Sequence, residues 1–182
     1  MWTAKIGGFI VEIIGITGKA GTGKSTFATL LAQKYKYCTK IGLDEFATKA
    51  LENPFVLKKI VNGSSKDVEE AIQSVILEVQ KQTYKVLDSS NAKTIILEWR
   101  LLPHIKCWNE CDTRILLIAD EQQRRNKLMQ RDNRTEEELD AQEKWVLDYN
   151  KCNSNYTVKN NYNEKELYAS VNKIYNDLSL DR

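Results

Sequence analysis

Two kinds of apolar pattern alternate along the chain. Five short runs are apolar and rich in β-branched residues, the signature of buried strands. They are about Phe9 to Ile16 (FIVEIIGI), Tyr37 to Leu43 (YCTKIGL), Thr94 to Trp99 (TIILEW), Thr113 to Ala119 (TRILLIA) and Tyr156 to Lys159 (YTVK). Between them, apolar residues recur at helical spacing. Helices are predicted over about Lys24 to Tyr35, Glu45 to Leu51, Phe55 to Val61 after Pro54, Asp67 to Leu87, Glu121 to Arg131 and Glu164 to Leu178. The longest carries a stripe of Val68, Ile72, Val75, Ile76, Val79 and Val86, read as core packing. The last presents Leu167, Val171, Ile174 and Leu178 on one face. Asn62-Gly63-Ser64-Ser65 is a break with a serine N-cap. Thr135, with Glu138 three residues on, has the capping-box pattern that opens a further helix. A brief strand at Thr3 to Ile6 with a turn at Gly7-Gly8 leads in, and Leu101 to Asn109 reads as a loop or short helix.

Strands that alternate with helices imply a largely parallel sheet covered on both faces, with right-handed crossovers. Between the first strand and the first helix stands Gly18-Lys19-Ala20-Gly21-Thr22-Gly23-Lys24-Ser25, followed by Thr26. This fits the phosphate-loop pattern G-x-x-x-x-G-K-[ST], in the strand–loop–helix setting that gives the pattern its chemistry. The glycines permit backbone conformations that turn successive N–H groups inward as an anion nest. The following helix points its positive dipole end at the same place. Gly18, Ala20, Gly21, Thr22, Gly23, Lys24, Ser25 and Thr26 are therefore the candidate nucleotide-binding residues. Lys24 is expected on the β- and γ-phosphates, and the Ser25 hydroxyl on Mg²⁺.

The expected fold class is α/β: a three-layer P-loop NTPase fold with a five-stranded parallel sheet flanked by helices, plus a helical lid. The chain has 182 residues and reads as a single domain. The core covers about 9–44 and 94–182, a helical insertion on the substrate side about 45–92, and the lid about 121–150.

Composition narrows the partners. Apolar residues make up 42% and charged residues 29%, ordinary for a globular protein. The 27 basic residues against 25 acidic leave a net charge of +2, too balanced to argue for nucleic acid or an anionic membrane. Cys38, Cys107, Cys111 and Cys152 form no disulfide framework, and MWTAKIGG lacks the apolar core of a signal peptide. A reduced, cytoplasmic setting is the expectation. The segment His104 to Cys111 offers three possible zinc ligands at odd spacing, without a second pair.

Further candidates follow from position. Glu98, near the end of the third strand, stands where phosphate-loop proteins often carry a magnesium-organising carboxylate; an ordinary strand-end carboxylate is the alternative. Arg124, Arg125, Lys127 and Arg131 lie on a basic helix, and Arg131 and Arg134 flank its break. Such a lid delivers arginines to the transferring phosphoryl group at closure. Arg131 is the best placed, while Arg124 and Arg125 also fit a solvated charged face. No Asn-Lys-x-Asp segment is present, which lowers a guanine-nucleotide reading.

Ile13 to Ala32 (IIGITGKAGTGKSTFATLLA) resembles the opening of dephospho-CoA kinases. Ile95 to Leu102, Cys111-Asp112, Leu128 to Asp132 and Tyr156 to Asn161 are similar to later segments of that family, in the same order. The resemblance implies ATP- and Mg²⁺-dependent phosphoryl transfer to a hydroxyl of a small molecule, dephospho-CoA foremost. Asp44, beyond the second strand, is implied as general base and as a residue that touches Mg²⁺ through water; the residue types also suit a helix N-cap. Asn160 is implied near the adenine. The metal set is then Ser25, Asp44 and Glu98, and the catalytic set Lys24, Asp44 and Arg131. The chain departs from the family where Gly42-Leu43-Asp44 keeps only the second Asp of an Asp-x-Asp, where Arg100 replaces a proline, and where a His-Pro is missing. Another nucleoside, nucleotide or metabolite as acceptor, or a nucleotide-binding regulator, is the alternative reading.

Overall fold

A computed structural model describes residues 5–6, 9–143 and 149–180. The elements run β1 (Lys5–Ile6), β2 (Phe9–Ile10), β3 (Glu12–Thr17), α1 (Lys24–Ala32), β4 (Cys38–Gly42), α2 (Asp44–Leu51), α3 (Pro54–Asn62), α4 (Ser65–Ser89), β5 (Thr94–Glu98), α5 (Cys107–Glu110), β6 (Thr113–Ala119), α6 (Glu121–Asp132), α7 (Glu136–Glu143), β7 (Tyr156–Asn160) and α8 (Glu164–Leu180). Five strands form one sheet in the order β4-β5-β3-β6-β7, every neighbouring pair parallel. This is the α/β fold expected from the alternation of strand and helix.

The apolar strands are apolar because both sheet faces are covered. Along β5, Ile95 and Leu97 enter one core with Val75, Val79 and Trp99, while Ile96 enters the other with Ile14, Phe27 and Leu31. On one side lie the insertion helices, where α2 and α3 pack on α4. On the other, α1 packs against α8. Val75, Ile76 and Val79 of the predicted α4 stripe are buried, whereas Val68, Ile72 and Val86 are half-buried. Ser64 and Asp67 exchange hydrogen bonds as a capping box and start that helix.

Three boundaries differ from expectation. Phe9–Ile10 does not belong to the core strand: it pairs antiparallel with Lys5–Ile6 in a separate two-stranded sheet. The register explains this, since β5 begins at Thr94, opposite Glu12, and the preceding chain has already passed the end of the large sheet. The proposed Thr3, Ala4 and Gly7-Gly8 lead-in lies outside the described residues, as do 144–148 of the expected lid. Helix α1 stops at Ala32 rather than Tyr35, because Lys34 N and Tyr35 N turn back to Leu31 O and Ala32 O in a tightened last turn. The ambiguous Leu101–Asn109 stretch folds as a 3₁₀ turn at Leu102–His104 and the short α5.

Cys107, Trp108 and Cys111 are buried packing residues, with the Cys111 thiol donating to Cys107 O at 3.1 Å. Burial pushes the Cys107 thiol up to about 12, so it stays protonated. His104 is exposed on the 3₁₀ turn. Among the described residues no helix is long and apolar enough to cross a membrane.

Leu97 is fully buried on β5, an interior strand of the sheet. Leu97→Ala is expected to destabilise the protein by about 2–5 kcal/mol, measured by urea denaturation. A loss below about 1 kcal/mol would contradict the two-sided core.

Candidate active site

The loop between β3 and α1 is built by outward hydrogen bonds from its carbonyls. Lys19 O accepts from Thr22 Oγ1 and from Lys24 Nζ, each at 2.9 Å. Ala20 O accepts from Arg124 Nη1 at 2.8 Å, Gly21 O from Tyr162 Oη at 2.9 Å, and Thr22 O from Asn160 Nδ2 at 3.0 Å. Gly23 O takes the N–H of Phe27 as the first helical bond. With four successive carbonyls claimed by side chains, and Thr22 N itself turned back to Lys19 O at 3.4 Å, the remaining loop amides are left for an anion. Two glycines make the path possible. Gly18 has φ 143°, and a Cβ there would sit 2.2 Å from Leu117 O. Gly23 has φ 87°, and a Cβ would meet Asn160 Nδ2 at 2.4 Å.

A cleft of about 580 Å³ opens over this loop. Ala20, Gly21, Gly23, Lys24, Ser25 and Thr26 line one side. The carboxyl ends of β4 and β5 bring in Asp44, Glu98 and Arg100, which is where open α/β sheets place ligands. Helices α2 and α4 add a largely apolar wall of Ala47, Leu51, Ile72 and Val75, and the end of α6 with the turn after it adds Arg131, Asp132 and Arg134. Lys24, Ser25, Asp44, Glu98 and Arg131 thus share one cavity. Gly18 and Thr22 are buried under the loop rather than in the cleft wall.

Lys24 is 7% exposed. Burial pushes its amine down to about 8, reinforced by Arg100 and Arg124 and opposed by Glu98 and Asp44. The Ser25 hydroxyl donates to Glu98 Oε2 at 3.0 Å, tying the first turn of α1 to the end of β5. Asp44 is exposed and is the first residue of α2; the cap position belongs to Leu43, and no side-chain cap bond forms there. The N-cap alternative for Asp44 therefore does not hold. Among the described residues no three His, Cys, Asp or Glu side chains group as a metal cage. Ser25 Oγ beside a carboxylate still offers the hard oxygen donors that suit Mg²⁺, whose remaining positions are commonly water and phosphate.

Asn160 is 5% exposed and is spent on structure: Nδ2 on Thr22 O, Oδ1 accepting from Tyr162 N at 2.8 Å. It also borders a second recess of about 330 Å³ beside the loop, with Thr26, Lys127, Leu128, Arg131 and Tyr162. Lys127 Nζ lies 4.5 Å from the centre of the Tyr162 ring there. Arg131 is mostly exposed and pairs with Asp132 at 2.6 and 2.9 Å.

Residues 14–148 match the AAA domain family. The chain belongs to that family. Solved structures share the fold of this AAA domain from end to end. A Thermus thermophilus protein, TT1252, is 23% identical with a TM-score of 0.73, over 92% of this chain and 98% of that one. A shikimate kinase from Acinetobacter baumannii, in complex with shikimate, is 12% identical with a TM-score of 0.61, over 94% and 95%. A dephospho-CoA kinase from Campylobacter jejuni is 18% identical with a TM-score of 0.51, over 91% and 96%. At such identities the likeness establishes the fold. No curated protein matches the chain.

Sequence reasoning missed three residues that shape this AAA domain's site. Arg124 is fully buried, not solvated: besides Ala20 O it binds Glu121 and Glu143, joining loop, α6 and α7. Its signal was present only as one more cation on a basic helix. Tyr162 supports the loop from the turn after β7, with φ 57°. Arg100 enters the cleft from the chain just past β5.

The state of Lys24 is testable through stability. The amine gives up its proton near 10.5 in the unfolded chain and near 8 when folded. Between those values the unfolded chain holds more protons, so stability rises with pH. Wild type is expected to gain stability relative to Lys24→Met across the window from 8 to 10.5, measured by denaturation at a series of pH values. Parallel curves for the two proteins would mean that the amine is not desolvated.

Proposed function

We propose that this AAA domain is an ATP- and Mg²⁺-dependent kinase that transfers a phosphoryl group to a hydroxyl of a small molecule. The observation that carries the proposal is the sharing of one cleft by a phosphate loop with its lysine, the Ser25–Glu98 pair, and a carboxylate, Asp44, at the neighbouring strand end. The apolar wall from α2 and α4 supplies what a bare hydrolase site does not need, a surface for an acceptor.

The roles follow from chemistry. The loop amides and Lys24 hold the phosphates of the donor. Ser25 and Glu98 would hold Mg²⁺, with Asp44 near it, and the ion when bound supplies further neutralising charge. Asp44 accepts the proton of the acceptor hydroxyl as its oxygen takes the terminal phosphoryl group and the nucleoside diphosphate leaves. Arg131 neutralises charge on the group in transit once it exchanges Asp132 for phosphate. Thr26 and the Asn160 recess border the donor nucleoside. Dephospho-CoA is the first acceptor to test, on the strength of the segment resemblance. Other hydroxyl-bearing metabolites, nucleosides and nucleotides follow.

An ADP-release assay over a panel of acceptors tests the assignment. Asp44→Asn is expected to lower kcat by about 10²–10⁴-fold while ATP affinity stays within about twofold. Lys24→Ala is expected to abolish triphosphate binding or turnover. Acceptor-independent ATP hydrolysis that Asp44→Asn leaves untouched, or wild-type turnover in Lys24→Ala, would overturn the kinase reading.

A further inference from the structure

Among the described residues Arg100 is a cation of the cleft that pairs with no carboxylate, and what it implies rests on the kinase reading above. Its backbone is fixed. The Arg100 carbonyl accepts from Tyr149 Oη at 2.6 Å and from Thr17 Oγ1 at 3.2 Å, and the preceding Trp99 N donates to Ile16 O at 3.1 Å. The side chain leaves that anchored point half-buried and lines the cleft with Lys24, Asp44 and Leu101. Its charge is close enough to Lys24 to help depress that amine.

The neighbouring cations are differently placed. Arg131 and Arg134 both pair with Asp132. Lys24 has the Lys19 carbonyl at 2.9 Å and the fields of Glu98 and Asp44. Glu98 in turn accepts from Ser25. Among the described residues no carboxylate pairs with Arg100. Lys24 and Arg100 are two partly desolvated cations in one cleft, neither in an ion pair with a described carboxylate, and an anion between them relieves both. A guanidinium fork matches two oxygens of a phosphate, which an ammonium does not.

We propose that Arg100 is a phosphate-binding residue, holding a phosphate group in the cleft on the acceptor side of Lys24. The group comes either from the terminal phosphate of the donor or from a phosphate carried by the acceptor. Leu51, Ile72 and Leu101 line the same cleft.

Calorimetry on the full chain with Mg²⁺ separates the sources. ADP, an imido analogue of ATP, and inorganic phosphate added to the analogue-loaded protein are titrated into wild type, Arg100→Gln and Arg100→Lys. Arg100→Gln is expected to bind ADP within about twofold of wild type and to lose one other affinity by about tenfold or more. Loss of the preference for the analogue over ADP assigns the donor's terminal phosphate. Loss of phosphate binding to the loaded protein assigns an acceptor phosphate. Arg100→Lys, which keeps the charge but not the fork, is expected to recover part of the affinity, and carries the test if the glutamine variant does not fold. Unchanged affinities in both variants, an equal loss for ADP, or a wild type with neither the preference nor phosphate binding overturns the assignment alone. A wild type that binds no nucleotide overturns the kinase reading with it.

Discussion

A phosphate loop presents its amides inward only if its carbonyls have somewhere else to go. Here that requirement reaches across the whole molecule. Thr22 and Lys24 come from the loop itself, but Arg124 comes from α6, Asn160 from the end of β7 and Tyr162 from the turn beyond it. An unpaired buried carbonyl is costly, so the fold around the loop is constrained to bring these donors to four consecutive positions. Gly18 and Gly23 are the local side of the same constraint, since a Cβ at either would collide with the strand or with the supporting asparagine.

The loop support also joins the site to the helices beyond β6. Arg124 is completely buried while binding Ala20 O, Glu121 and Glu143, and Arg125 extends the chain of charges to Asp140. Lys19 in turn pairs with Glu121 at 3.1 Å. A buried guanidinium is tolerable when its donors are matched in this way. The consequence is that α6 and α7 are tied to the floor of the site through charge, while the far end of α6 and the turn after it present Arg131 and Arg134 to the cleft. One helix thus both holds the loop and reaches the cleft.

Charge balance in the cleft explains why its cations are unequal. Burial works against the Lys24 ammonium, and Glu98, Asp44 and the Lys19 carbonyl oppose that cost. The groups that temper the cost of burying Lys24 thus include the same two carboxylates proposed to act in the reaction. Arg131, exposed and already paired, is held at little cost and is free to change partner. Arg100 has its backbone fixed by Tyr149 Oη on its carbonyl, and its side chain pairs with no carboxylate among the described residues.

The local text was enough for the strand–loop–helix unit, the parallel sheet and the long α4, because period, glycine placement and capping chemistry act over a few residues. It also singled out Lys24, Ser25, Asp44 and Glu98, since strand ends and a phosphate loop mark positions that can be counted along the chain. It misjudged Phe9–Ile10, because apolar residues read alike whether they continue a sheet or have run past its end, and only the register with β5 separates the two. Nor could it tell a solvated arginine from the buried Arg124, or see that Tyr162 and Asn160 meet carbonyls about 140 positions away. What the sequence determined by itself was the shape of the loop and the order of the layers, both set by short-range sterics and burial. What tertiary structure alone decided was which distant side chains satisfy that loop and which cations of the cleft, among the described residues, pair with a carboxylate, because hydrogen-bond and charge partners are chosen by proximity in space.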